Sequence, residues 1–124
     1  MIRAVSVAAL ALLTSTAAAL ARPTDDQAWK ICKAWALGQV KDSPTPAFSN
    51  VSMQNSTGNF TSVFFAIDSA DSAGVMTRQY GRCLTDGTTV RDFSTVGGST
   101  EPIVKAWVLD RSDTRRRAYH PPQD

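Results

Sequence analysis

Phe60-Thr-Ser-Val-Phe-Phe-Ala-Ile-Asp68, Ser69-Ala-Asp-Ser-Ala-Gly74 and Val75-Met-Thr-Arg-Gln-Tyr-Gly-Arg-Cys83 run on from one another near the middle of a 124-residue chain. The first run is rich in β-branched and aromatic residues, which fit a pleated, half-buried surface. The Ser, Asp and Gly that follow bond their own backbone or tolerate positive φ, so they predict a turn. The last run ends on Cys83, one of only two cysteines. Together the three runs read as a β-hairpin whose second strand is bolted to an earlier part of the chain.

The other cysteine, Cys32, lies in the clearest helical pattern, Pro23 to Asp42. Thr24 and Gln27 have the spacing of a capping box, and Asp25 and Asp26 suit the positive end of the helix dipole. Ala28, Trp29, Cys32, Trp35, Ala36 and Val40 recur at three- and four-residue intervals as one apolar stripe, with Lys30, Lys33 and Lys41 opposite. Asp42-Ser-Pro-Thr-Pro46 ends the helix, because the residue before a proline is pushed out of the α region.

Working outward from the hairpin, Ala47 to Met53 reads as a weaker strand, followed by the turn cluster Gln54 to Asn59. Beyond Cys83, Asp86-Gly87 between two β-prone runs is a second hairpin signal. The result is an antiparallel meander with strands at about 47–53, 60–67, 75–84 and 88–95. Gly97-Gly98 reads as a hinge, and Ser99-Thr-Glu-Pro102 as a helix start. Residues 100–111 fit a helical face, although Ile103, Lys105, Trp107 and Leu109 also alternate as a strand would. Residues 112–124 are polar and proline-bearing and predict a flexible tail.

The amino-terminal stretch has the marks of an export signal: Arg3, an apolar run from Ala4 to Leu13, and small residues at Ala19-Leu-Ala21. The apolar run falls short of the about 20 residues that a bilayer-spanning helix needs. The expected organisation is a signal peptide at 1–21, a single α+β domain at 22–111 and the tail at 112–124, with no stable membrane span once the signal is cleaved. An exported chain with two cysteines predicts a Cys32–Cys83 disulfide and a periplasmic or secreted location.

A formal net charge of +2 lacks the strongly basic balance of a dedicated nucleic-acid binder, so no nucleic acid is expected as a partner. The two cysteines lack the C-x-x-C spacing of a redox pair. His120 sits in the polar tail without an orienting partner, and no nucleophile elbow, zinc-helix motif or phosphate-cradling glycine loop occurs. Asp68 and Asp71 could offer oxygens to calcium, but they lack the distal Glu of a recognised loop. The chain is therefore read as non-enzymatic, with no catalytic residue, metal or cofactor assigned. The sequons at Asn50, Asn55 and Asn59 read as turn composition.

If Cys83 points inward, alternation places Met76, Arg78, Tyr80 and Arg82 on the other face, whereas a bulge at Gly81 would reverse this. Arg78, Tyr80 and Arg82 then form a candidate contact patch for an acidic protein or envelope component, since Arg and Tyr are favoured at interfaces. The alternative is a small-ligand pocket lined by Trp29, Trp35 and Trp107. Arg115-Arg-Arg117 makes a basic knot near the end.

Cys32, Gln39-Val-Lys-Asp-Ser-Pro-Thr-Pro-Ala-Phe48 and the Asp68…Gly74…Arg78…Cys83 series resemble a pattern of small exported bacterial domains of unknown function. That pattern is Cys…Lys-Asp-x-Pro…Phe…Asp-x-x-Asn-x-x-Gly…Cys. Asp71 stands where it has Asn, and Ala73 where an aromatic is common. The resemblance covers about residues 30–95 and implies an α+β sheet domain with a helix-to-strand disulfide. It implies no activity.

The expected architecture is an N-terminal helix packed on a four-stranded antiparallel meander, with one disulfide and a short C-terminal helix.

Overall fold

The computed structural model describes residues 21–122 except 42, 44, 98–101 and 111–114. All but Ala21 of the expected signal peptide, and the ends of the expected tail, lie outside the described residues. Helix α1 spans Asp25–Gln39, followed by β1 (Ala47–Asn55), β2 (Thr61–Ala70), β3 (Met76–Thr85), β4 (Val90–Gly97), helix α2 (Pro102–Leu109) and β5 (Arg117–Ala118). The strands form one antiparallel sheet in the order β4-β3-β2-β1-β5. The fold is α+β: a helix, an uninterrupted run of four antiparallel strands and a second helix.

The sheet has five strands, not four. The fifth comes from the segment expected to be a flexible tail. Ser52 pairs with Ala118 and Met53 with Arg117, and Tyr119 N–H donates to the Val51 carbonyl at 2.9 Å. Arg117 reaches across to α1 and bonds Asp25 Oδ1 at 2.9 Å, while the Tyr119 hydroxyl donates to Asp26. Burial, and then the Asp26 carboxylate, push the Tyr119 phenol up to about 12. A two-residue strand is too short to leave an alternating pattern in the sequence. The packed domain therefore runs on past residue 111.

Thr24 and Gln27 complete the capping box, with Gln27 N–H donating to Thr24 Oγ1 at 3.2 Å and Thr24 N–H to Gln27 Oε1 at 2.9 Å. Ala28, Trp29, Cys32 and Ala36 are buried against Met53, Val63, Phe65, Ile67 and Cys83. Cys32 and Cys83 are disulfide-bonded with their Cα atoms 5.9 Å apart, tying α1 to β3. Trp35 departs from the predicted stripe: it is 48% exposed at the rim, its ring 5.9 Å from that of Phe93.

The second face of the sheet is covered as well. Phe64, Ala66 and Tyr80 pack with Val108 of α2. Val63 to Ile67 are consequently all buried, as expected of a strand with both faces covered. Two local devices set the facing. In β1 the register slips between Ser49 and Ser52, and Asn50 takes a left-handed φ of 54°. This bulge keeps Phe48, Val51 and Met53 all on the α1 side. In β3 no bulge occurs at Gly81, which pairs in unbroken register with Phe65. Glycine is there because the Phe65 ring lies on it. A Cβ would sit 2.1 Å from Phe65 Cζ.

The hairpin turns are closed by aspartates. Asp71 Oδ1 accepts from Ala73 N–H and Val75 N–H, both at 2.9 Å. Asp86 Oδ1 accepts from Thr89 N–H at 2.8 Å, Thr88 N–H at 2.9 Å and both threonine hydroxyls. The backbone bonds from Thr89 and Thr88 lead in holding the Asp86 carboxyl down to about 2. That lies below the value near 4 of an unfolded aspartate. Its contribution to stability is therefore present above about pH 4 and is lost as pH falls through about 2. Asp86→Asn keeps an acceptor but removes the titration. Urea midpoints measured between about pH 4 and 2 are expected to fall less steeply in this variant than in the wild type. Equal slopes would exclude Asp86 from the acid response.

Among the described residues, no helix is long and apolar enough to cross a membrane.

Candidate binding face

Arg78, Tyr80 and Arg82 alternate on the face opposite Cys83, the side on which α2 lies, and each meets different surroundings. Arg78 stands directly across from Asp68, with Nε 2.7 Å from Oδ1 and Nη2 2.8 Å from Oδ2. This two-pronged bond holds the Asp68 carboxyl below the ordinary range and raises Arg78 further. The guanidinium fork is thus turned toward its own strand neighbour. Tyr80 is only 6% exposed, packed into the cluster beneath α2. Arg82 lies with its guanidinium carbon 5.2 Å from the centre of the Trp107 ring and its Nη2 3.9 Å from Asp92.

The basic knot at residues 115–117 is split by β5. Side chains alternate across a strand, so Arg117 turns to the α1 side, where it bonds Asp25 and, at 3.0 Å, Asn55 Oδ1. Arg116 turns to the α2 side and lies 4.1 Å over the Phe64 ring, while donating to the Asp110 carbonyl at 3.1 Å. Phe64 is the β2 partner of Arg82, so two arginines from distant parts of the chain end up beside each other. Arg115 joins them at the mouth.

These residues line a groove of about 340 Å³ between α2 and the sheet, with Gln54, Asn55, Ser56 and Ser62 along one rim and Trp107 on the other side. Asp110 is the one acid in its lining among the described residues. Asp110 and Arg116 also border a second pocket of about 140 Å³, lined in addition by Asn50, Val51, Ser52, Val108 and Ala118. The pocket lies against the β1 bulge. The hydroxyls of Ser49 and Ser52, both facing this side, are buried with no hydrogen-bond partner among the described residues. A buried hydroxyl left unbonded costs about 1–3 kcal/mol.

The three tryptophans are not gathered around one pocket. Trp29 is buried between α1 and the sheet, Trp35 stands at the rim on Phe93, and Trp107 is on the opposite face under Arg82. Sequence reasoning placed Arg82 on the correct face. It missed Arg116, Trp107 and Phe64 as its neighbours: the basic knot was visible, but nothing local showed that residues 117–118 pair with β1. Among the described residues, no cluster of three or more His, Cys, Asp or Glu is placed to hold a metal ion. No protein-family model, curated protein or solved structure matches this chain.

Proposed function

We propose that this chain is a small exported, non-enzymatic binding module that engages an anionic partner, a protein or a component of the cell envelope, through the α2-side groove. The observation that carries this reading is the convergence of Arg82, Arg115 and Arg116 with Trp107 and Phe64 around one concave surface. Arginines held over aromatic rings suit recognition of anionic groups. Export rests on the amino-terminal signal pattern, and the disulfide is consistent with an oxidising compartment.

The roles of the three patch residues differ. Arg82 contacts the partner, Tyr80 supports the face from beneath, and Arg78 braces the β2–β3 hairpin. Binding of the wild type to immobilised acidic polymers, polyglutamate and polygalacturonate, is expected to fall about tenfold in Arg82→Gln and in Arg116→Gln, the loss typical of one charged hydrogen bond. Arg78→Gln is expected to bind as the wild type does. Equal binding by all four proteins would sink the reading, and so would loss confined to Arg78→Gln. Circular dichroism of each variant separates lost binding from lost folding.

A further inference from the structure

We infer that helix α2 docks on the surface of an anionic lipid bilayer, with its outward side set into the headgroup boundary and the neighbouring cations at the level of the phosphates. The inference rests on the anionic-partner reading above and names that partner as a membrane surface.

Three observations lead to this partner. First, α2 turns apolar residues to water. It reads Pro102-Ile-Val-Lys-Ala-Trp-Val-Leu109, with Lys105 its one charge. Val108 is buried against the sheet, whereas Trp107 and Leu109 remain 42% and 41% exposed, and Ala106 is exposed beside them. A surface helix normally presents charged and polar residues outward. Apolar residues grouped on an exposed face instead mark a binding surface.

Second, cations border this apolar side. Lys105 is exposed and stands four residues before Leu109, so the two are neighbours on the helix surface. Along the Trp107 flank, Arg82, Arg115 and Arg116 line the groove. Asp92 and Asp110 are the acids next to them among the described residues, which leaves positive charge in excess. That excess complements an anionic leaflet, where each Lys or Arg brought close strengthens binding about fivefold. The stems of Lys and Arg lie along apolar surface while their charged heads stay at the wet level.

Third, the length of α2 suits a helix lying flat. Eight residues rise about 12 Å, less than half of a hydrocarbon core about 30 Å thick. An in-plane helix carries Trp and Leu on one side with Lys and Arg beside them, and Trp rings settle at the membrane–water boundary. An acidic protein is a poorer match, because lysine is depleted from protein–protein interfaces and Lys105 adjoins the apolar side. A soluble acid is poorer still. The groove arginines alone would hold it, and neither Lys105 nor Leu109 lines the groove.

Sedimentation with extruded vesicles tests the assignment, using the exported form purified from an expressing host. Vesicles of phosphatidylcholine mixed equally with phosphatidylglycerol are expected to bind it at least about tenfold tighter than vesicles of phosphatidylcholine alone. Leu109→Ser is expected to weaken binding to the anionic vesicles about tenfold, and Lys105→Gln about fivefold. Both variants are expected to bind polyglutamate as the wild type does, since both positions lie outside the groove. Circular dichroism checks that each variant is folded. Equal binding to the two kinds of vesicle would overturn the assignment, and so would undiminished binding by Leu109→Ser. A dimer in vesicle-free solution that Leu109→Ser dissociates would overturn it too, giving the face to a second copy of the chain. If no vesicle binds while polyglutamate binds in an Arg82-dependent way, the membrane assignment falls and the anionic-partner reading stands. If neither binds, both fall.

Discussion

With Cys32 and Cys83 both replaced by alanine, the protein is expected to lose about 4 kcal/mol of stability, the chain-entropy value for a loop of this length. The two residues are 51 apart in sequence and fully buried. The loss follows from what α1 has left to hold it. Ala28, Trp29 and Ala36 still pack on the sheet, and Arg117 still bonds Asp25. However, that ion pair is partly exposed, and such pairs contribute about 1 kcal/mol or less. Set against the 5–15 kcal/mol typical of a folded domain, the disulfide is a large fraction of the total. Urea unfolding of the oxidised wild type and the double alanine variant measures it. A difference below about 1 kcal/mol would show that α1 is held by packing alone.

Gly81→Ala is expected to destabilise by about 1–3 kcal/mol, against the ordinary trend. In a strand, glycine is normally the worse residue by about 0.5–1 kcal/mol. Here the new Cβ would lie 2.1 Å, 2.4 Å and 2.7 Å from three atoms of the Phe65 ring. The ring has no direction in which to retreat. Trp29, Phe48 and Phe93 surround it with centroids 6.3 Å, 5.8 Å and 6.1 Å away. Trimming the obstacle should restore room, so Phe65→Leu is expected to cost less in the Gly81→Ala background than in the wild type. The double-mutant cycle reads that coupling directly. A neutral or stabilising Gly81→Ala would mean that the ring does not lie on this backbone.

What the sequence discloses depends on how local each cause is. The capping box at Thr24 and Gln27, the Asp71 turn, the β2–β3 hairpin and the cysteine bolt each involve a few residues of unmistakable chemistry, and all are present. The covered second face was announced by the unbroken apolar run Val63 to Ile67, yet β-propensity alone reads that run as half-buried. The bulge at Asn50 and the short strand at Arg117 are settled by long-range packing and leave little local trace. The candidate face was legible one element at a time. Arg82 could be placed by counting from Cys83, but its juxtaposition with Arg116 needs residues 117–118 to pair with β1, which no window of sequence contains.

The clasp between the last strand and the first helix also bears on how the chain is ordered along its length. Asp25 meets Arg117, and Asp26 meets Tyr119. Residues from opposite ends of the domain thus share one hydrogen-bonded corner, next to the Trp29 ring, which lies 6.2 Å from that of Tyr119. Viewed as a path through space, the domain is nearly a closed ring, its start at α1 and its end at β5 held together at this corner. A domain of this topology suits circular permutation: its ends can be joined by a short linker and opened at an exposed hairpin tip such as Asp71–Gly74.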